Sequence, residues 1–195
     1  MKVLMINGSP HKEGNTYIAL KEMEKIFTEE GIECEIVHVG NKAIRGCVAC
    51  RTCAEKGKCV FDDCVNETAP KFEACDGLIT GSPVYYASAN GTMVSFLERL
   101  FFSTSFDKTM KVGASVVVAR RGGLSATFDE LNKYFTKTII PFNAHLGSED
   151  GGTYVTIKKL EPKAGILPGL PLSMKDIEDK KIEGKVSAWL KTVGY

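Results

Sequence analysis

The chain lacks the features that mark several broad protein classes. Its N-terminal segment carries only four consecutive apolar residues, Val3 to Ile6, before Asn7 and Gly8 interrupt them. That run is too short for a secretory leader or a membrane span, so the expected compartment is the cytoplasm and no membrane partner is expected. Charge of one sign is also missing: Lys and Arg number 25 against 24 Asp and Glu. No strong field therefore directs the protein to nucleic acid or to an anionic membrane. Repeats, low-complexity tracts and inter-domain linkers are absent. With 195 residues the chain can bury a core without disulfides or metals, and one domain over 1–195 is expected. Cysteine, by contrast, is plentiful. Seven cysteines, an odd number, do not suit a disulfide framework in a reducing compartment, so their spacing carries the information.

Val3 to Ile6 reads as a short buried strand that stops at Asn7-Gly8-Ser9-Pro10. Asn15-Thr16 opens a helix whose apolar positions Ile18, Leu20, Met23, Ile26 and Phe27 end at Gly31. Alternation over Ile32 to Val39 gives the next strand, completing a β-α-β unit. Arg45 to Cys64 has weak periodicity and reads as an extended loop, with helical spacing resuming around Pro70 to Cys75. Gly77 to Pro83 repeats the first grammar of a short strand followed by Gly-Ser-Pro. Met93, Phe96, Leu97 and Leu100 stripe a helix; Lys111 to Ala119 is a fourth strand, stopped by Arg120-Arg121-Gly122-Gly123. Phe128, Leu131, Tyr134 and Phe135 stripe another helix, and Ile139, Ile140 and Phe142 suit a fifth strand. The prolines and glycines after Leu160 predict an irregular excursion over 151–174, whose Ile166, Leu167, Leu170 and Leu172 need cover. Val186, Trp189, Leu190 and Val193 suit a terminal helix. This alternation predicts an α/β fold with a doubly wound, open parallel sheet.

In such sheets ligands bind beyond the carboxyl ends of the strands, where the strand order reverses. Gly8-Ser9-Pro10-His11-Lys12-Glu13-Gly14-Asn15-Thr16 lies there. Read alone, Gly-Ser-Pro is an ordinary turn; after the first strand it reads as a backbone nest at a helix N-terminus, suited to phosphate. The loop has neither the Lys-Ser/Thr ending of a Walker loop nor the close glycine triplet of a dinucleotide fingerprint, which favours a terminal phosphate over a bridging pyrophosphate. His11 is placed either to donate to that phosphate or to stand in solvent. His38 and His145 show no partner pattern. Tyr85 and Tyr86 can wall a flat ligand or fill a core.

Cys47-Val48-Ala49-Cys50-Arg51-Thr52-Cys53, followed after five residues by Cys59, is the most specific signal. Four thiolates so close together can converge on one [4Fe-4S] cluster, whereas a zinc knuckle usually separates its pairs more widely. The alternative is an exposed loop of redox-inert cysteines. Cys64 is a fifth thiol near enough to compete as a ligand. Cys34 and Cys75 read as small buried fillers.

Gly8-Ser9-Pro10 with Gly14-Asn15-Thr16, and Gly81-Ser82-Pro83-Val84-Tyr85-Tyr86 after the third strand, resemble the NADPH-dependent FMN reductase superfamily with its flavodoxin-like fold. The cysteine run is similar to the compact motif of the iron-sulfur flavoproteins. The resemblance covers roughly residues 1–140 plus the terminal helix. It implies that Ser9, Asn15 and Thr16 hold the FMN phosphate, with His11 kept beside them as a cofactor-binding candidate. Pro83, Val84, Tyr85 and Tyr86 would line the isoalloxazine, with Arg121, Gly122 and Gly123 closing its other edge. Cys47, Cys50, Cys53 and Cys59 match the cluster ligands. A homo-oligomer, dimer or tetramer, and a ferredoxin-like electron donor are implied in the same way.

The expected function is that of an oxidoreductase, an FMN redox protein whose flavin exchanges electrons with a [4Fe-4S] cluster or an external donor. No catalytic acid or base is required, because the flavin carries the chemistry. The alternative is a cluster-free reductase that passes hydride from NAD(P)H to free flavin, a quinone or a nitro compound. A third reading is an electron carrier or regulatory flavin-binding module without enzymatic turnover.

Overall fold

Burial on both faces explains why Val3 to Ile6 of the first strand are all apolar. A computed structural model describes residues 1–136 and the strand backbones of 140–149, 152–161, 165–166 and 170–173. In it β1 (Lys2–Asn7) lies parallel between β2 (Glu33–His38) and β3 (Gly77–Tyr85). Because successive side chains of a strand point to opposite faces, β1 feeds two cores. Val3 and Met5 pack with Leu20 of α1 (Asn15–Glu29) on one face. Leu4 and Ile6 pack on the other, with Phe72 of α3 (Cys64–Ala74), Phe96 of α4 (Gly91–Ser103) and Phe128 of α5 (Leu124–Thr136).

Gly31, at φ +72°, ends α1 with the two backbone bonds of a Schellman motif: its own N–H to the Thr28 carbonyl, and the Ile32 N–H to the Phe27 carbonyl. The helix stop read from Gly31 is therefore present. The chain then turns directly into β2.

The sheet continues from β3 to β5 (Val112–Ala119) and β6 (Ile140–Glu149), both parallel to it. The five parallel strands stand in the order β2-β1-β3-β5-β6, the winding of a flavodoxin-like sheet. Its reversal point lies between β1 and β3, where Asn7 is in register with Gly81 on one side and His38 on the other. A small β4 (Ser88–Ala89) folds back on β3 as a hairpin.

Two segments differ from the sequence reading. The loop 45–64 holds a short α2 (Thr52–Lys56), and α3 begins at Cys64 rather than near Pro70, because Asp63 caps it by accepting the Val65 N–H (3.1 Å). The expected irregular excursion over 151–174 contains β7 (Gly152–Glu161), antiparallel to β6, and β8 (Gly165–Ile166) and β9 (Leu170–Ser173), both antiparallel to β7. Thr153, Tyr154, Val155, Thr156 and Ile157 are strong strand formers; Pro162 and Pro168 fall between the strands, and Pro171 lies inside β9, in register with Thr156, on a strand that pairs only with β7 among the described residues. The expected terminal helix at Val186 to Val193, and the burial expected for Ile166, Leu167, Leu170 and Leu172, lie outside the described residues.

Phe96 is fully buried where α4 meets the sheet. Truncation there removes contacts that the packed layers cannot refill, so Phe96→Ala should lower the unfolding free energy by about 3–5 kcal/mol. Urea unfolding followed by circular dichroism checks this; a loss below about 1 kcal/mol would place Phe96 outside the cooperative core.

Candidate cofactor sites

The loop after β1 is held in shape by its own polar groups. Asn7 is buried; its Oδ1 accepts the Ser9 N–H (3.0 Å) and its Nδ2 donates to the Lys12 carbonyl (3.1 Å). Ser9 Oγ accepts the His11 N–H (3.2 Å), and the Gly8 N–H donates to the Gly81 carbonyl (2.8 Å), tying the ends of β1 and β3 together. His38, at the end of β2, donates from Nε2 to the Ser9 carbonyl (2.7 Å). Gly40 lets this contact close: a Cβ there would stand 2.1 Å from the Ser9 carbonyl oxygen.

Behind this loop α1 starts at Asn15 after Gly14, which offers no capping side chain, and its first turn carries no acidic residue. Its leading N–H groups and positive dipole end are thus left for an anion. Ser9 and Thr16 are buried at the base of the loop, while His11 and Asn15 are exposed on its rim. His38 was not legible as part of this site, since its partner lies 29 residues away in sequence.

At the end of β3, Val84 pairs with Ala89 and Tyr85 with Ser88, so Tyr86 and Ala87 form a two-residue hairpin turn. Both have positive φ, 53° and 63°, as a type I′ turn requires, without the glycine or asparagine that usually eases it. Tyr85 is 47% exposed and Tyr86 fully so, which removes the core-filling reading of this pair. Val84, Tyr86, Ala87, Ala119, Arg120, Arg121 and Gly122 line an open cleft of about 360 Å³, within the size range of ligand sites.

Of the residues expected around a flavin ring, Val84, Tyr86, Arg121 and Gly122 line this cleft; Pro83, Tyr85 and Gly123 do not. Gly123 acts one layer behind. Its φ is +92°, and a Cβ there would approach the Ala87 Cα to 2.7 Å, so only glycine lets the loop after β5 rest on the hairpin. Glu130 of α5 braces the same hairpin, accepting from Ser88 Oγ (2.8 Å) and the Ala89 N–H (2.9 Å). A helical glutamate looks like a solvated residue in sequence, and nothing local marked it.

Cys47, Cys50, Cys53 and Cys59 line one pocket together with Val48, Arg51, Val60, Phe61, Arg99, Phe102 and Ser103. Cys64 is not part of that lining; burial, then the neighbouring Asp63 and Glu67, push its thiol pKa up. The competing fifth thiol thus belongs to α3 and its packing. Cys75 is buried and Cys34 half-buried, as expected of fillers.

Left-handed Ala49 (φ 53°) and Arg51 (φ 59°) flank Cys50 and turn the chain sharply on each side of it. Hydrogen bonds from the Thr52 hydroxyl and backbone hold the Cys50 thiol below its ordinary pKa, which favours the thiolate that ligates metals. Among the described residues, no three metal-binding side chains close on a single ion. The four cysteines share the lining of one pocket instead.

Helix α4 forms the floor of that space. Glu98 Oε2 accepts the Cys47 N–H (2.9 Å), and the Cys53 thiol points to the Phe102 carbonyl (3.8 Å). Arg99, only 1% exposed, forms a two-pronged pair with Asp63 (2.6 and 3.0 Å) and sends Nε and Nη2 to the Cys59 sulfur (3.3 and 3.2 Å). Burial opposes its charge, yet Asp63 and Cys59 more than offset that and raise its pKa. Asn66 of α3 clamps the Cys59 backbone on both sides, at 3.0 Å each. The sequence did contain a signal for Arg99: it falls three residues after Phe96, on the buried stripe of α4, where a cation needs a partner.

The Gly40 contact gives a direct test of the first loop. Gly40→Ala must displace the Ser9 backbone and should weaken FMN binding at least about tenfold, or about 1.4 kcal/mol, with the far-ultraviolet spectrum unchanged. An unaltered fluorescence titration would separate Ser9 from the flavin site.

Residues 1–149 match the family described as NADPH-dependent FMN reductase. An iron-sulfur flavoprotein of Methanocaldococcus jannaschii is 36% identical over 138 residues, covering 69% of this chain and 72% of that protein. One from Archaeoglobus fulgidus is 37% identical over 119 residues, 60% of this chain and just over half, 54%, of its own length. Among solved structures, the NAD(P)H:quinone oxidoreductase of Methanothermobacter marburgensis superposes with a TM-score of 0.60 at 12% identity, covering 75% of this chain and 83% of that one. At such identity the likeness concerns the fold. The family match runs through β6 and so past the expected 140. It and the 36% identical relative establish that this chain belongs to the NADPH-dependent FMN reductase family, on its iron-sulfur flavoprotein branch, and is an FMN oxidoreductase.

Proposed function

We propose that the protein transfers electrons between FMN held at the carboxyl ends of β1, β3 and β5 and a [4Fe-4S] cluster held by Cys47, Cys50, Cys53 and Cys59. The observation that carries this reading is the common pocket of those four cysteines, which leaves Cys64 aside. A cubane cluster takes one thiolate per iron, so its ligands surround a volume, whereas a single zinc needs all its ligands on one ion. When bound, FMN supplies one- and two-electron chemistry and the cluster one-electron chemistry.

The chain's own residues bind and orient. Ser9, Thr16 and the leading N–H groups of α1 take the FMN phosphate, with Asn15 and His11 at its rim. Val84, Tyr86, Arg121 and Gly122 border the ring, and Gly123 positions the loop that carries the last two. Val48, Val60 and Phe102 are 47–59% exposed beside the cysteines, an apolar rim that supports a homo-oligomer or a docked ferredoxin-like donor. Among the described residues, no helix is long and apolar enough to cross a membrane, and we place the protein in the cytoplasm.

One observation favours the cluster-free alternative as well. The cleft beside Tyr86 is open, and Arg120 and Arg121 are exposed on its border, where they suit the phosphates of NAD(P)H.

Anaerobic purification decides between them. The expected preparation carries FMN, identified by chromatography, and about four irons per chain. Cys50→Ser should lose the iron and keep the flavin. Full flavin without iron, even after reconstitution, would overturn the cluster and leave the NAD(P)H-dependent reductase. Ser9→Ala and Thr16→Ala should each weaken FMN binding by about 1.5–3 kcal/mol, as expected for losing a hydrogen bond to a charged phosphate; unchanged affinity in both would move the phosphate elsewhere.

A further inference from the structure

Cys59 differs from the other three cysteines of the pocket in that a charged group reaches its sulfur; Cys50 is met by the hydroxyl and backbone N–H of Thr52, both neutral donors. Cys47 Sγ accepts one backbone N–H, from Ala49 at 3.4 Å, and the Cys53 thiol points to a carbonyl. Cys59 Sγ receives two N–H groups of a buried guanidinium. The division of that guanidinium is specific. Its end-on fork, Nη1 and Nη2, meets the two oxygens of Asp63, and its side-on fork, Nε and Nη2, meets one sulfur. The one N–H left over, on Nη1, goes to the Arg45 carbonyl (3.5 Å); the Phe61 carbonyl (3.2 Å) shares an Nη2 N–H with the groups already named, and the cation also lies 5.1 Å from the Phe61 ring centre. All five N–H donors are thereby engaged.

An arginine whose only task was to fasten a loop would be fully served by carbonyls and a carboxylate. Two donors of one cation placed on a single ligand sulfur do something further. Hydrogen bonds to cluster sulfurs and the net charge around a cluster are the protein's main controls on its potential. The reduced cluster carries one more electron and hence more negative charge on its sulfurs, so donors aimed at a sulfur favour the reduced state. Asp63 opposes this by neutralising much of the cation that delivers them.

We propose that Arg99 is a positioning residue that raises the reduction potential of the cluster through its two N–H groups on Cys59, with Asp63 as the opposing weight. The proposal rests on the cluster reading above. It predicts shifts of opposite sign from two residues that touch each other. Arg99→Lys keeps a positive charge but cannot present a planar two-donor edge, and should move the midpoint potential to more negative values. Asp63→Asn retains a good cap for α3 but leaves the guanidinium charge uncompensated, and should move the potential to less negative values.

The experiment is an anaerobic potentiometric titration of wild type and both variants, followed by electron paramagnetic resonance, with iron and flavin content measured on each sample. Opposite shifts at wild-type iron and FMN content are the expected result. Unmoved potentials, shifts of the same sign, or loss of iron in both variants would overturn the proposal, the last by showing that the pair only builds the loop. Should Arg99→Lys alone fail to take up iron, Asp63→Asn decides, and a fall or no change in its potential overturns the role. A wild-type chain that takes up no iron fails the cluster reading itself, and Arg99 with it.

Discussion

A buried guanidinium is costly to desolvate, and an ion pair in a protein interior returns that cost only when its geometry and its remaining hydrogen bonds are complete. Arg99 meets both conditions, and the arrangement of the whole cysteine loop follows from them. Asp63 must stand opposite its fork, which fixes the start of α3. Phe61 and Arg45 must turn their carbonyls inward, which fixes both sides of the loop. A loop of about twenty residues has too few apolar contacts to order itself. Here its order is borrowed from one cation on a helix that is already packed.

That helix also links the two sites. The cap of α4 is Asn90, whose Oδ1 accepts the Thr92 N–H (2.8 Å) and whose own N–H donates to Ser82 Oγ (3.0 Å), just before the hairpin that borders the open cleft. Its later turns carry Glu98, Arg99 and Phe102, which hold the cysteines. Between the two ends Met93, Phe96, Leu97 and Leu100 are fully buried against the sheet. A rigid element thus sets the placement of one site relative to the other, and loops supply the chemistry at each end.

How much of this could be read from the chain alone depended on the distance over which each signal acts. The parallel strands announced themselves as apolar runs, and Gly31 and the cysteine spacing are local patterns, so the fold and the pocket's lining were legible. Partners remote in sequence were not: His38 with Ser9, Glu130 with Ser88, Arg99 with Cys59. Each looks locally like an ordinary polar residue. The strands within 151–174 were hidden by a different cause, since prolines and glycines drew the reading to the gaps and away from the β-branched run between them. The choice between wall and core for Tyr85 and Tyr86 was open in sequence because both roles ask for the same residue type, and only exposure separates them.

The strained backbone follows the same division. Of the non-glycine residues with positive φ, Ala49 and Arg51 bracket Cys50, and Tyr86 and Ala87 make the hairpin of the cleft; Met110 stands apart from both. Each such residue stores on the order of 1–3 kcal/mol where glycine would relax it. The strain persists because each segment is held from outside by contacts that do not depend on its own conformational preference: Glu98 at Cys47, and Glu130 at Ser88 and Ala89. Glycine at these four positions would ease the turns but widen the range of shapes open to the loops. A non-glycine backbone held in a rare conformation by hydrogen bonds from neighbouring elements is a narrower constraint. In a protein whose flavin carries the chemistry, such narrowness at the loops is what the polypeptide contributes.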